Sequence, residues 1–178
     1  LEKLYRRYTG ESLAVKLSDF ADVSERIQYL VTQVEEITKI DNFGAYLTAM
    51  LEIDAFFMNE DRHTNNIAVI YNEKTQKYEL SPFFDQGLCM FADINQDYPI
   101  DQSLEYCLEK IEAKPFSSDF DIQLDAAEEL YGIQIGFQFT FKDIQIYLQK
   151  NSENYPREVI RRVEQLLRRQ MRKYGYLM

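Results

Sequence analysis

The sequence predicts an α+β fold that is mostly α-helical and carries one small β-hairpin. Three observations predict it. Apolar residues recur at three- and four-residue spacing in several separate segments, the signature of helices with one buried face. Strand-like runs occur as one adjacent pair, residues 67–71 and 77–80, around the polar turn Asn72-Glu73-Lys74-Thr75-Gln76. Hydrophobic residues make up 46% of the 178 and charged ones 28%, which gives enough apolar material for a core and argues against large-scale disorder.

Residues 1–20 mix aromatic and basic side chains around Gly10, and Leu13, Leu17 and Phe20 then predict a short helix over 11–20. Asp22, Ser24 and Glu25 suit a helix amino end, where negative charge and side-chain acceptors are favoured. The helix they open carries Ile27, Leu30, Val31, Val34 and Ile37 on one stripe as far as Ile40, and Asp41-Asn42 breaks it. The next helix, 43–58, buries Phe43, Tyr46, Leu47, Met50, Leu51, Phe57 and Met58. Asp54 falls within that stripe. A carboxylate on an apolar face is costly unless it is bonded, so Asp54 either accepts bonds from the loop that follows, from backbone N–H groups or from Arg62 or His63, or sits at the stripe's edge facing water.

The hairpin comes next, and Pro82, which lacks a ladder donor, ends its second strand. After Gly87, Leu88-Cys89-Met90-Phe91 is expected to pass under the polar cluster that residues 61–66 and Asp85 form. Asp93-Ile94-Asn95-Gln96-Asp97 opens like a calcium loop, but Tyr98 stands where glycine is needed and Leu104 where a bidentate glutamate is needed, so the stretch reads as a polar loop up to Pro99. Helices follow over 104–111, 121–130 and 142–149, with Pro115-Phe116-Ser117-Ser118 as the expected linker. Pro156 suits the first position of the last helix. Its apolar face is Val159, Ile160, Val163, Leu166, Leu167 and Met171, and Gly175 ends it. Its other face carries Arg157, Arg161, Arg162, Arg168, Arg169, Arg172 and Lys173, and is expected to be solvated.

Chemistry concentrates in residues 54–87. Asp61, His63, Asn66 and Asp85 are polar groups set between apolar segments: the first three on a loop after a helix, the last after a hairpin. Phosphoryl transfer from a magnesium nucleotide needs a carboxylate beside the attacking hydroxyl and oxygen ligands that hold the metal against the phosphates. In protein kinases the base Asp and a metal-binding Asn are separated by four residues on one loop, with a second metal-binding Asp further on. Asp61 and Asn66 are likewise separated by four residues, and Asp85-Gln86-Gly87 stands where those kinases have Asp-Phe-Gly.

Asp61-Arg62-His63-Thr64-Asn65-Asn66 followed by Ser81-Pro82-Phe83-Phe84-Asp85-Gln86-Gly87 resembles the catalytic and metal-binding loops of HipA-like serine/threonine kinases, the kinase components of bacterial toxin–antitoxin pairs. The resemblance is specific over roughly residues 43–90. It implies a protein-kinase-like carboxy-terminal lobe with the hairpin at its active edge, ATP and Mg2+ as cofactors, and a protein serine or threonine hydroxyl as acceptor. It further implies Asp61 as catalytic base, Asn66 and Asp85 as magnesium ligands and His63 near the nucleotide; Asp54 and Arg62, by the separate argument from the apolar face, are candidates for supporting the loop. The partners it implies are the protein substrate and an antitoxin. The same Asp-Arg-His-x-x-Asn order occurs in phosphatidylinositol 3- and 4-kinases, which keep the site and change the acceptor. A catalytically silent binding module that retains the loop is the third reading.

Ala14-Val15-Lys16-Leu17 is superficially similar to the kinase strand that carries the phosphate-binding lysine. Lys16, however, lies only 45 residues before Asp61 and reads as a solvated helix lysine. No Gly-rich run precedes Asp61, and the chain starts at Leu1. Residues 1–178 are therefore expected to be a single lobe cut from a longer chain, inactive alone, with its small lobe on the same polypeptide or on a separately encoded partner. A net charge of −10 argues against general nucleic-acid binding. Cys89 and Cys107 form neither a disulfide framework nor a ligand pair, which suits a reducing cytoplasm. No apolar run approaches the ~20 residues of a membrane helix, so no membrane partner is expected.

Overall fold

The computed structural model describes residues 1–178. The chain is mostly helical with one two-stranded antiparallel sheet, in the order α1 (Glu2–Thr9), α2 (Leu13–Ser18), α3 (Val23–Thr38), α4 (Phe43–Phe57), β1 (Val69–Asn72), β2 (Lys77–Leu80), α5 (Leu104–Lys110), α6 (Phe120–Tyr131), α7 (Phe141–Lys150) and α8 (Arg157–Lys173). Residues 1–60 hold four helices and no strand. No helix is long and apolar enough to cross a membrane.

Local chemistry explains most boundaries. Gly10 closes α1 with a left-handed φ of 81° that costs glycine nothing. Asp22 accepts from the Ser24 and Glu25 amides and so caps α3. Thr140 and Asp143 form a reciprocal capping box at α7. In the sheet Val69 pairs with Leu80 and Tyr71 with Tyr78, so residues 73–76 form the exposed turn.

Helix α4 is the central element because it is buried nearly all round. Its first half, Phe43, Leu47, Met50 and Leu51, packs into a core with α1, α2, α3 and Ile67. Its second half, Ala55 and Phe56, packs into another with α5, α7 and α8. Helix α6 crosses α4 closely at Gly44, where a Cβ would lie 2.5 Å from the Tyr131 ring. Glu52 is also buried, and its carboxylate accepts from the Gln134 and Ile135 amides at 2.7 Å each, which ties the extended segment after α6 to α4. That segment then stacks Phe137 and Phe139 on Phe56.

Two expectations are corrected. The Pro115-Phe116-Ser117-Ser118 stretch is no linker, because Phe116 is wholly buried and its carbonyl accepts from Arg26 Nη1 at 2.7 Å. Gln123 on α6 bonds the Lys114 carbonyl and the Phe116 amide, so composition alone misjudged a packed turn. The basic face of α8 is not uniformly solvated either. Arg162 is buried and donates to the Tyr98, Pro99 and Gln102 carbonyls, because the loop wrapped over α8 has no strand to satisfy them. Lys16 lies at the surface of α2 and pairs with Asp19 at 3.1 Å.

Candidate functional site

The site is built at the carboxyl end of α4. The helix stops at Met58, whose φ of 55° turns the chain, and the Asn59 amide donates back to the Asp54 carbonyl at 2.9 Å. The following loop alternates in direction. Asp61 and His63 lie at the surface while Arg62 between them points inward and is fully buried. A short 3₁₀ turn (Thr64–Asn66) then brings Asn66 back beside Asp61, with His63 Nδ1 accepting the Asn65 amide at 3.2 Å.

Arg62 and Asp54 hold this shape. Arg62 Nε donates to Asp54 Oδ2 at 2.6 Å and Nη2 to Asp54 Oδ1 at 3.0 Å, a bidentate pair with both side chains out of water. Asp54 thus takes its partner from the loop, and the water-facing alternative is excluded. Burial pushes the Asp54 carboxyl upward, while Arg62 and the Asn59 amide at 2.8 Å pull it back. Because a guanidinium keeps its proton in proteins, the pair stands as an ion pair. The remaining Arg62 nitrogen, Nη1, donates to the Asn66 carbonyl at 2.7 Å and to the Phe84 carbonyl at 3.0 Å.

One buried side chain therefore fixes two loops. The Phe84 carbonyl immediately precedes Asp85, so Arg62 sets where Asp85 emerges. Two further stitches join the loops, Asn59 Nδ2 to Gln86 Oε1 at 3.3 Å and the Glu60 amide to the Leu88 carbonyl at 3.4 Å. Asp85 itself is exposed and sits at φ 59°, a left-handed conformation uncommon outside glycine. Such positions persist only where surroundings impose them, and they cluster at functional sites. Cys89 and Phe91 are buried below, while Phe84 and Leu88 remain exposed beside the site.

Asp61 faces Asn66, His63 and Lys114. Asn66 Nδ2 donates to the Asp61 carbonyl at 2.8 Å and to Oδ2 at 3.3 Å, and His63 Nε2 lies 3.8 Å from the same Oδ2. With its amide nitrogen turned to Asp61, Asn66 keeps its side-chain oxygen for another ligand. No group of three or more histidine, cysteine, aspartate or glutamate side chains is arranged to hold a metal. Asp85 offers one carboxylate and Asn66 one amide oxygen, hard oxygen donors of the kind that magnesium takes together with substrate phosphates and waters.

Sequence reasoning missed three contributors. Lys114 Nζ lies 3.8 Å from Asp61 Oδ1, and no spacing signal links residues so far apart. Asn59 braces Asp54, Asp61 and Gln86, but an asparagine after a helix looks like any cap. Tyr98, 1% exposed in a stretch that reads as polar loop, donates its hydroxyl to Glu60, the residue before Asp61. Between residues 86–94 and helices α7 and α8 lies a mainly apolar cavity of about 370 Å3, lined by Met90, Phe91, Tyr155 and Ile160 among others.

No known protein-family model matches this chain, and no curated protein or solved structure matches it.

Proposed function

We propose that the chain is the carboxy-terminal catalytic lobe of a HipA-like, protein-kinase-like enzyme that transfers a phosphoryl group from magnesium ATP to a serine or threonine hydroxyl of a protein. The observation that carries this reading is the buried Arg62, which binds Asp54 through two bonds and the Asn66 and Phe84 carbonyls through the others. That arrangement locks a loop bearing a carboxylate and an amide to a second loop bearing a carboxylate, and positioning is most of what phosphoryl transfer asks of a protein.

In this reading Asp61 receives the acceptor's proton as the hydroxyl oxygen bonds to phosphorus and the bond to the departing ADP breaks. Asn66 orients Asp61 through its amide nitrogen. His63, half-buried beside Asp61, would lie near the nucleotide. Asn66 and Asp85 would hold magnesium, which supplies charge neutralisation at the phosphates. The acceptor could instead be a phosphatidylinositol hydroxyl, and an antitoxin or a separately encoded small lobe remains a proposed partner. Residues 1–60 contain no Gly-rich strand pair, so the phosphate cover must come from outside these residues.

The test is transfer of labelled phosphate by the protein in its natural polypeptide context, with protein and lipid acceptors assayed separately. Asp61→Asn is expected to lower turnover by about 10²–10⁴-fold, the usual contribution of a general base, with magnesium–ATP affinity nearly unchanged. Asp85→Ala is expected to weaken nucleotide binding in magnesium but not under chelation. Binding without transfer to any acceptor would identify a silent module, and ordinary turnover by Asp61→Asn would remove Asp61 from the role.

A further inference from the structure

We propose that Lys114 is a further catalytic residue, one that grips the phosphoryl group during transfer; this rests on the kinase reading above. Charge and geometry at the mouth of the site lead to it. Asp61 lies within reach of Lys114, Glu60 is near enough to feel its charge, and Asp85 follows the carbonyl that Arg62 ties to this loop; a nucleotide would add several more negative charges. Arg62 is no remedy, because it is wholly buried and all three of its nitrogens are engaged with Asp54, Asn66 and Phe84. Lys114 is the lysine that reaches Asp61.

Its position relative to the two Asp61 oxygens is informative. Asn66 Nδ2 and His63 Nε2 both approach Oδ2, at 3.3 and 3.8 Å, whereas Lys114 Nζ approaches Oδ1 at 3.8 Å. Oδ1 is thus the oxygen left to take a proton from an acceptor hydroxyl. A phosphorus atom attacked by that hydroxyl would bring its non-bridging oxygens within reach of the ammonium. A cation there stabilises charge on the transferring group, where electrostatic preorganisation has its largest effect.

The root of Lys114 is fixed and its tip is free. Its carbonyl accepts from Gln123 Nε2 at 3.2 Å, Gln123 is 1% exposed, and the neighbouring Ala113 amide bonds the Ser118 carbonyl at 2.8 Å. The Lys114 side chain remains 51% exposed. A surface ion pair of that kind contributes little to stability, but an ammonium on a rigid base can swing from Asp61 to a phosphate without moving backbone.

An acyl-phosphate derivative of ATP is the probe. A lysine amine near the phosphates attacks its acyl carbonyl, the carbon–oxygen bond of the mixed anhydride breaks, ATP leaves, the amine proton goes to solvent, and a stable amide marks that lysine for mass spectrometry. Used on the protein in its natural polypeptide context, the probe should label Lys114, and excess magnesium–ATP should suppress the label. In turnover assays Lys114→Met should lower kcat by about 10²–10³-fold with the KM for magnesium–ATP changed little, as for loss of one charge-stabilising donor. Lys114→Arg should recover part of the loss, which a merely structural role would not produce. Competable labelling confined to other lysines, with Lys114→Met within about threefold of wild-type kcat, overturns this assignment and leaves the kinase reading standing. No competable label anywhere, together with no transfer by the wild-type protein, overturns both.

Discussion

Breaking the Asp54–Arg62 pair from one side should be among the most destabilising single changes available to this protein. In Asp54→Leu the Arg62 guanidinium, 0% exposed, keeps its bonds to the Asn66 and Phe84 carbonyls but loses its counter-charge. Removing one partner of a buried pair costs about 3–5 kcal/mol, since the other charge is left uncompensated. Against a total stability of roughly 5–15 kcal/mol this is a large share. For a chain of 178 residues it corresponds to a fall in Tm of roughly 6–20 °C. Arg62→Met should cost a similar amount, because it isolates Asp54 and strips two carbonyls of their donor. The double variant Asp54→Leu/Arg62→Met removes both charges and should be more stable than the sum of the single losses implies, with a coupling of about 3 kcal/mol. Urea unfolding of the four proteins, followed by far-UV circular dichroism, measures the cycle. Additivity within about 0.5 kcal/mol would refute the claim that this pair holds the loop.

Other substitutions test the packing that positions the site. Arg162→Met should cost about 1–3 kcal/mol by removing the donor to the Tyr98 and Gln102 carbonyls and one of two donors to the Pro99 carbonyl, whereas the exposed Arg169→Met should stay within about 0.5 kcal/mol. Gly44→Ala should lose about 1–3 kcal/mol in the same unfolding assay, because the new methyl would lie 2.5 Å from Tyr131. Phe116→Ala should lose about 3–5 kcal/mol, and a loss near zero would restore the linker reading. Burial, with a smaller contribution from the nearby Asp54 charge, pushes the Cys89 thiol up to about 12. Cys89 should therefore resist alkylation at pH 8 in the native protein and react only on unfolding, as mass spectrometry of alkylated chains would show.

The secondary structure was largely legible because its signals are local. The stripe from Ile27 to Ile37 and the one through Phe43, Leu47 and Met50 marked α3 and α4 by spacing alone, and Asp22 marked where α3 begins. The hairpin followed from two strand-like runs, 67–71 and 77–80, around a polar turn, and the observed pairing joins 69–72 to 77–80. The candidate loops were legible for a different reason. Asp61, Asn66 and Asp85 stand in a compact order along the chain, and Asp54 showed itself by being a carboxylate on an apolar face.

Only the tertiary structure decided what those residues touch. Arg62 and Arg162 are arginines in polar contexts along the chain, yet each is buried, because the loop carbonyls of residues 66 and 84 in one case, and 98, 99 and 102 in the other, have no ladder partner and draw a donor inward. Phe116 looked like part of a linker because proline and serines flank it, and it became core because α6 and Arg26 close over it from distant parts of the chain. Lys114 reached Asp61 in the same way. A periodic pattern records which face of an element is buried, since that depends on neighbours three or four positions away. The identity of a distant partner depends on how the elements pack, and no spacing within one segment carries that information.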